Sequence, residues 1–398
     1  MDIDELLRVS VSRGASDLHL KVGVPPMMRI DSLLVPMEEK GRVTGQELSD
    51  TALKIMNPLQ VERFKKQHDC DLAYSVQGLG RFRVNVFQQR STVGMVFRVI
   101  PFKIPTIRDL NLPTVLEKMS MESRGLILVT GTTGSGKSTT LAAMIDHINA
   151  NRTVHIITIE DPIEYLFRDR RSIINQREVG FDTTGFAVAL KHALRQDPDV
   201  IMVGEMRDKD TIETALTAAE TGHLVMSTLH TSDATETVNR ILSVFEPHQQ
   251  PQIRLQLASV IKGIVSMRLV PRADGKGRVP AVEVLVATVT IKEAIIDKDK
   301  TKLIPDFIAG GVSQYGMQTF DQALFMLYKK ELISYEEALS QSTNPDDFAL
   351  KVRGVQSTSD LAWDEHGKHP PPGAKPAPAP GPASPPAKPE FKVERFGE

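Results

Sequence analysis

Residues 125–139 read GLILVTGTTGSGKST, an apolar run that breaks into glycines and then a lysine followed by two hydroxyl side chains. The segment from 131, GTTGSGKST, fits the pattern G-x-x-x-x-G-K-[ST]. Its context is the one the pattern requires, a buried run before it and an amphipathic helical pattern after it. Gly131, Gly134 and Gly136 let the backbone curl so that successive N–H groups of the loop face phosphate oxygens. The helix that follows adds its positive end. Lys137 then reaches β- and γ-phosphates, and the Ser138 hydroxyl holds Mg²⁺. The expected nucleotide cradle is therefore Gly131, Thr132, Thr133, Gly134, Ser135, Gly136, Lys137, Ser138 and Thr139.

Outward from the loop, four apolar runs recur: GLILVT (125–130), VHIITIE (154–160), DVIMVGE (199–205) and HLVMSTLH (223–230). They are apolar enough to be strands buried on both faces. Helical patterns separate them. Leu141, Met144, Ile145 and Ile148 follow the i, i+3, i+4, i+7 rule, and so do Ile212, Ala215, Leu216 and Ala219. Asp210 is expected to cap the second of these helices and Gly222 to end it. Strands alternating with helices predict a largely parallel sheet covered on both sides, an α/β fold. Further on, 251–270 and 314–350 read as helical, with a short strand AVEVLV at 281–286 between them.

Upstream, SDLHLKV (16–22) and GRFRVNVF (80–87) alternate apolar and polar residues and predict a small α/β domain with half-buried strands. Three prolines in VIPFKIPTIRDLNLP (99–113) mark a linker or hinge. Beyond about residue 362 the composition turns to HPPPGAKPAPAPGPASPPAKP, too poor in apolar surface to offset ordering entropy.

Hydrolysis requires more than a phosphate cradle: one group to orient water and another to secure the metal. Two carboxylate groups follow apolar runs, where they would stand at strand carboxyl ends beside the nucleotide. ITIEDPIEY (157–165) carries Glu160, Asp161 and Glu164, and IMVGEMRD (201–208) carries Glu205 with Arg207 two residues on. Composition narrows the alternatives. Hydrophobic residues make up 41% and charged residues 25%, which suits a globular domain, and one cysteine, Cys70, excludes an internal disulfide and a multi-cysteine zinc site. A net charge of −2 and 5% aromatic residues give no support to a nucleic-acid partner. No run approaches a membrane span and the acidic start is unlike a signal peptide, so the chain is expected in the cytosol.

Taken in order, GTTGSGKSTTLAAM, EDPIEY, INQREVG, ALRQDPDVIMVGEMRD and TAAETGHLVMSTLHT resemble the secretion ATPase superfamily, and within it the type IV pilus retraction ATPases of the PilT/PilU group. The likeness runs from GASDLHLKVGVPPMMR (14–29) to about residue 350. It implies an N-terminal PAS-like domain over 1–100, a linker at 101–113, a RecA-like ATPase core over 114–290 and a C-terminal helical region over 291–357, while composition alone, outside what the family shares, reads 358–398 as a disordered tail. It further implies ATP and Mg²⁺, a homo-hexameric ring, and work at the inner membrane through a pilus platform protein. Carried over residue by residue, Lys137 and Ser138 belong to the phosphate loop, Glu164 matches the catalytic glutamate, and Glu205 matches the glutamate acting on Mg²⁺ through water. His223 and His230 match a pair whose strand ends should lie near the γ-phosphate or a subunit interface. Arg81, Arg83 and Arg98 match arginines that reach the nucleotide from the first domain; Arg81 and Arg83, at alternate positions, share one strand face.

The branch is read from two features. Assembly and secretion relatives usually carry a four-cysteine insertion after the RLV stretch, whereas SMRLVPRADGKGRVPAVEVL (266–285) runs through without cysteine, which favours retraction. The retraction signature A-I-R-N-L-I-R-E corresponds to TIKEAIID (290–297), with Lys292 and Ile296 where arginines would stand, and GMQTFDQALFMLYKKELISYEEAL (316–339) is closer to the PilU-like branch. An autonomous retraction motor is thus the first reading. An accessory subunit working with a second retraction ATPase, or an assembly or type II secretion ATPase, is the alternative.

Overall fold

The computed structural model describes residues 1–30, 33–100 and 104–354. The expected tail over 358–398 and the first three residues of the expected linker at 101–103 lie outside the described residues. Among the described residues the strands form two sheets.

The first sheet contains β1 (Asp17–Leu20), β2 (Met27–Ile30), β3 (Leu33–Pro36), β4 (Asp69–Val76), β5 (Gly80–Gln89) and β6 (Thr92–Ile100), in the order β3-β2-β1-β6-β5-β4, antiparallel throughout. Its strands alternate as the sequence predicts. On β5, Phe82, Val84 and Val86 are fully buried, while Arg81, Arg83 and Asn85 point to the other face. The buried side packs on the helices Ile3–Ser12 and Gly45–Ile55 through Leu6, Leu7, Leu48 and Ala52.

The second sheet contains β7 (Gly125–Gly131), β8 (His155–Glu160), β9 (Ile173–Glu178), β10 (Val200–Val203), β11 (Leu224–Leu229), β12 (Ile261–Pro271) and β13 (Arg278–Val286), in the order β13-β12-β7-β11-β10-β8-β9. All its neighbours are parallel except β12 and β13. Both faces of its central strands are covered, and β7, β10 and β11 are buried at every position. Leu126 and Leu128 pack on one side with Ile212, Leu216 and Val238 from the helices Lys209–Glu220 and Ala234–Ser243. Ile127 and Val129 pack on the other with Leu141, Met144, Ile145 and Ile148 from the helix Lys137–Asn151.

Three local expectations change. The stretch 251–270 is helical only as Gln250–Val260; the remainder is β12, wedged between β7 and β13. Apolar runs of this length do not separate strand from helix by period alone. Gly263 is the available signal, because a Cβ there would meet the Leu285 carbonyl at 2.9 Å. The helix expected to start on Asp210 is capped instead by Asp208, whose carboxylate accepts from Thr211 N at 2.8 Å, the three-residue reach of an N-cap. Within 99–113, Val99 and Ile100 finish β6, and Ile107 and Leu112 are buried against the second sheet beside Leu116 and Met119. The C-terminal region is helical as expected, with Phe320–Lys329, Tyr335–Gln341 and Pro345–Val352.

A buried polar row crosses this sheet in register: Thr130 on β7, Ser266 on β12 and Glu283 on β13. Thr130 Oγ1 donates to Ser266 Oγ at 3.0 Å, and Glu283 Oε1 accepts from Ala234 N at 2.8 Å. Burial, reinforced by the charge of Asp233, pushes the Glu283 carboxyl from 4.5 to about 7. A carboxyl raised on folding stabilises the native state fully below its unfolded value, and that contribution is lost as pH rises through the folded one. At pH 8, Glu283→Gln should therefore be more stable than the parent, by on the order of 1–3 kcal/mol. The gap should close below the unfolded value, by about pH 4. Urea denaturation at the two pH values checks this, and a gap independent of pH would contradict it.

Candidate functional site

β7 ends at Gly131 (φ +142°), and Gly134 (φ +78°) and Gly136 (φ +98°) shape the turn into the next helix. At Gly131 the backbone leaves no room for a side chain, because a Cβ would meet both Met267 O and Ser135 Oγ at 2.5 Å. The helix Lys137–Asn151 opens with no side-chain cap, so its first amides are available to an anion. Lys137 Nζ donates to Gly131 O and Thr132 O, each at 2.9 Å, and bends over the loop. Ser135 Oγ is buried with no hydrogen-bond partner among the described residues, an orphan that a phosphate oxygen would satisfy. These features fit a nucleotide's phosphates.

Above the loop lies a cavity of about 280 Å³ lined by Thr133, Gly134, Lys137 and Ser138 from one side and Glu160, Glu164, Glu205 and His230 from the other. Parallel pairing explains the convergence. Glu160 is the last residue of β8, Glu164 lies in the loop after it, Glu205 follows β10 and His230 follows β11. Each belongs to a strand that ends on the same edge of the sheet as β7. Thr139 Oγ1 and the Tyr165 hydroxyl, 2.9 Å apart, tie the phosphate-loop helix to the acidic loop.

The charges balance closely. Glu205 contacts Arg207 Nη2 through one oxygen at 2.7 Å and His230 Nε2 through the other at 3.2 Å. Burial alone would raise its carboxyl; the Arg207 hydrogen bond and the charges of Arg207, His230 and Lys137 outweigh it and hold the group below the usual carboxylate range. Burial pulls the Lys137 ammonium down, against the opposing charges of Glu205 and Glu164. Glu160 is almost fully enclosed, and burial pushes it up to about 7 despite hydrogen bonds from Thr158 and Gln176.

Not every expected residue comes to this cavity. His223 and His230 flank β11, and seven residues of extended chain separate their Cα atoms by about 23 Å. His230 reaches the phosphate side, whereas His223 sits at the opposite edge with its Nδ1 2.9 Å from Ala218 O. The three arginines lie on the first sheet. Arg98 Nε donates to Asp17 Oδ1 at 2.9 Å, Arg83 stands opposite Arg98 in the strand register, and Arg81 Nη2 donates to Glu178 Oε2 at 2.9 Å. None of the three lines the cavity. Two participants are hard to read from sequence: the Arg207 contact with Glu205, and Tyr165, whose only sequence cue is its place next to Glu164.

A glycine-rich loop at the end of a central parallel strand, facing clustered carboxylates, defines a P-loop nucleotide-binding protein. The family model described as "Type II/IV secretion system protein" matches residues 2–316, and the chain belongs to that family. It is 44% identical over 361 residues to the Pseudomonas aeruginosa protein described as "Type IV pilus ATPase PilU", covering 90% of this chain and 94% of that one. To the "Type IV pilus retractation ATPase PilT" of the same organism it is 45% identical over 353 residues, covering 87% of this chain and 100% of that one. The crystal structure of the pilus retraction motor PilT with bound ADP superposes with a TM-score of 0.80 at 45% identity, covering 87% of this chain and 98% of the other.

Lys137→Ala should weaken ATP binding about ten- to a hundredfold, the loss of a charge-assisted contact. The melting temperature without nucleotide should hold or rise, because a buried ammonium is removed. Calorimetric titration and thermal melts check both; unchanged affinity with a lower melting temperature would make the lysine only a clamp for the loop carbonyls.

Proposed function

We propose that this chain is an ATP-hydrolysing motor that powers type IV pilus retraction, working as a homo-hexameric ring against an inner-membrane platform protein. The observation that carries the enzymatic part is the convergence of Glu164 and Glu205 with Lys137 and Ser138 on one cavity. The kind of work rests on the relatives, one named as a type IV pilus ATPase and one as a type IV pilus retraction ATPase, which resemble this chain over most of their length.

In this reading the loop amides and Lys137 bind the phosphates, and Glu164 orients the attacking water and takes up its proton. Ser138 and, through water, Glu205 supply oxygen ligands suited to Mg²⁺, which when bound neutralises phosphate charge. Arg207 and His230 hold the Glu205 carboxylate by both oxygens, so its direction depends on the ends of β10 and β11. His230 is thereby placed to register a change in charge at the phosphate, whereas His223 acts only where a neighbouring copy meets the far edge of the sheet. Residues 1–100 and 114–290 work as two units joined at 101–113, with 291–357 beside the second, and nucleic acid is not a partner. Among the described residues no helix is long and apolar enough to cross a membrane, in keeping with attachment at the cytoplasmic face through the platform protein.

The second reading is an accessory subunit acting with another retraction ATPase. It is favoured by Lys292 and Ile296 in the helix Val289–Ile296, where the retraction signature would place arginines.

Steady-state Mg·ATP turnover by the purified chain separates the two. The motor reading expects turnover that falls at least about a hundredfold in Glu164→Gln while ATP affinity stays within a few-fold. It also expects restored twitching when the gene is returned to a strain lacking its own retraction ATPases. ATP binding without turnover in the parent would select the accessory role.

A further inference from the structure

The strand β9 and the two residues after it carry INQREVG (174–180), a motif to which the site just described assigns no role. β9 is the edge strand, paired in parallel with β8 so that Glu178 lies beside Glu160. Gln176 and Glu178, two apart, point to the same side and grip the loop that bears Glu164 at separate places. Gln176 Nε2 donates to Tyr165 O at 2.9 Å and to Glu160 Oε1 at 3.0 Å, and its Oε1 accepts from Phe167 N at 3.0 Å. Glu178 Oε2 accepts from Ile163 N at 3.2 Å. The Glu164 backbone is therefore held on both sides, by the residue before it and the residue after it.

The two grips differ in what supports them. Gln176 is neutral and draws only on its own sheet. Glu178 is a carboxylate 3% exposed, and the cation that answers it is Arg81, reaching from β5 of the first sheet to the same oxygen that receives Ile163 N. A buried carboxylate deprived of its cation seeks water, and it cannot do so without letting go of its other donor. The seat of the first sheet is thus written into the loop next to Glu164.

Resting on the ATPase reading above, we propose that Arg81 and Glu178 are positioning residues: through Ile163 N the pair sets where the Glu164 carboxylate stands, so that contact between the two sheets controls turnover. In this arrangement Arg81 does not act on phosphate, and its effect passes wholly through Glu164.

A set of variants of the full chain tests this, with Mg·ATP turnover and the affinity for a fluorescent ATP analogue read for each. Arg81→Ala and Glu178→Gln should each lower kcat about ten- to a hundredfold, as a small misplacement of a catalytic group does, with KM and affinity within about twofold. The double variant should be no worse than the poorer single one, and Arg81→Lys should recover part of the loss. Added to Glu164→Gln, either change should cost nothing more. Amide exchange over 161–167 should quicken in Arg81→Ala, a readout that does not depend on turnover. Losses that multiply in the double variant or persist in the Glu164→Gln background would make Arg81 a direct contact to the nucleotide and overturn the proposal. Lowered melting temperature with unchanged kcat would reduce the pair to a structural bridge and overturn it equally. A parent that binds ATP without turnover would instead remove the enzymatic reading beneath both, a result distinct from additive losses in an active parent.

Discussion

Parallel pairing of β7 with β11 and β12, and of β10 with β11 and β8, is the constraint on which the rest of this molecule depends. Strands that run the same way end on the same edge, and the backbone leaving each of them must turn there. One turn becomes the phosphate loop, because Gly131 permits a close approach that no side chain would allow. The next turns present Glu164, Glu205 and His230 within one cavity. Residues more than sixty positions apart in the chain meet without any long-range device beyond the register of a sheet. Both faces of that sheet must be covered for such pairing to persist, which is why the helices between the strands are as apolar as they are.

Charge compensation then decides what each acid can do. Glu205 stays ionised against the cost of burial because an arginine and a histidine answer its two oxygens and the Lys137 ammonium lies nearby. Glu160, a few residues from Glu164 and enclosed without a cation, is raised to about 7. The carboxyls of Glu160 and Glu205 are thereby shifted in opposite directions by environment alone. The same reasoning extends to the contact between sheets, where buried Glu178 requires Arg81 and binds the acidic loop with the same oxygen.

Much of this is legible without coordinates. The glycine spacing, the four apolar runs and the helical periods between them are local signals, and each corresponds to an element near the residues that carry it. The family resemblance holds for the same reason, since it rests on motifs at strand ends. Errors fall where local signals are ambiguous. Ile261–Pro271 is apolar in a way that suits either period, and only its insertion between β7 and β13 makes it a strand. Asp208 and Asp210 are equally plausible caps until the helix start is known.

By itself the sequence determined the chemistry at each position: a phosphate loop with its lysine and hydroxyl, acids at the ends of apolar runs, a histidine at each end of one strand. The partners of those groups were decided by the tertiary structure. Strand direction sent His230 to the cavity and His223 to the far edge, a separation that seven residues of extended backbone impose. Packing of the first sheet on the second gave Arg81 to Glu178, and pairing across β1 and β6 gave Arg98 to Asp17. A side chain's type is written locally, but which charge it answers depends on distances that exist only after the chain has folded.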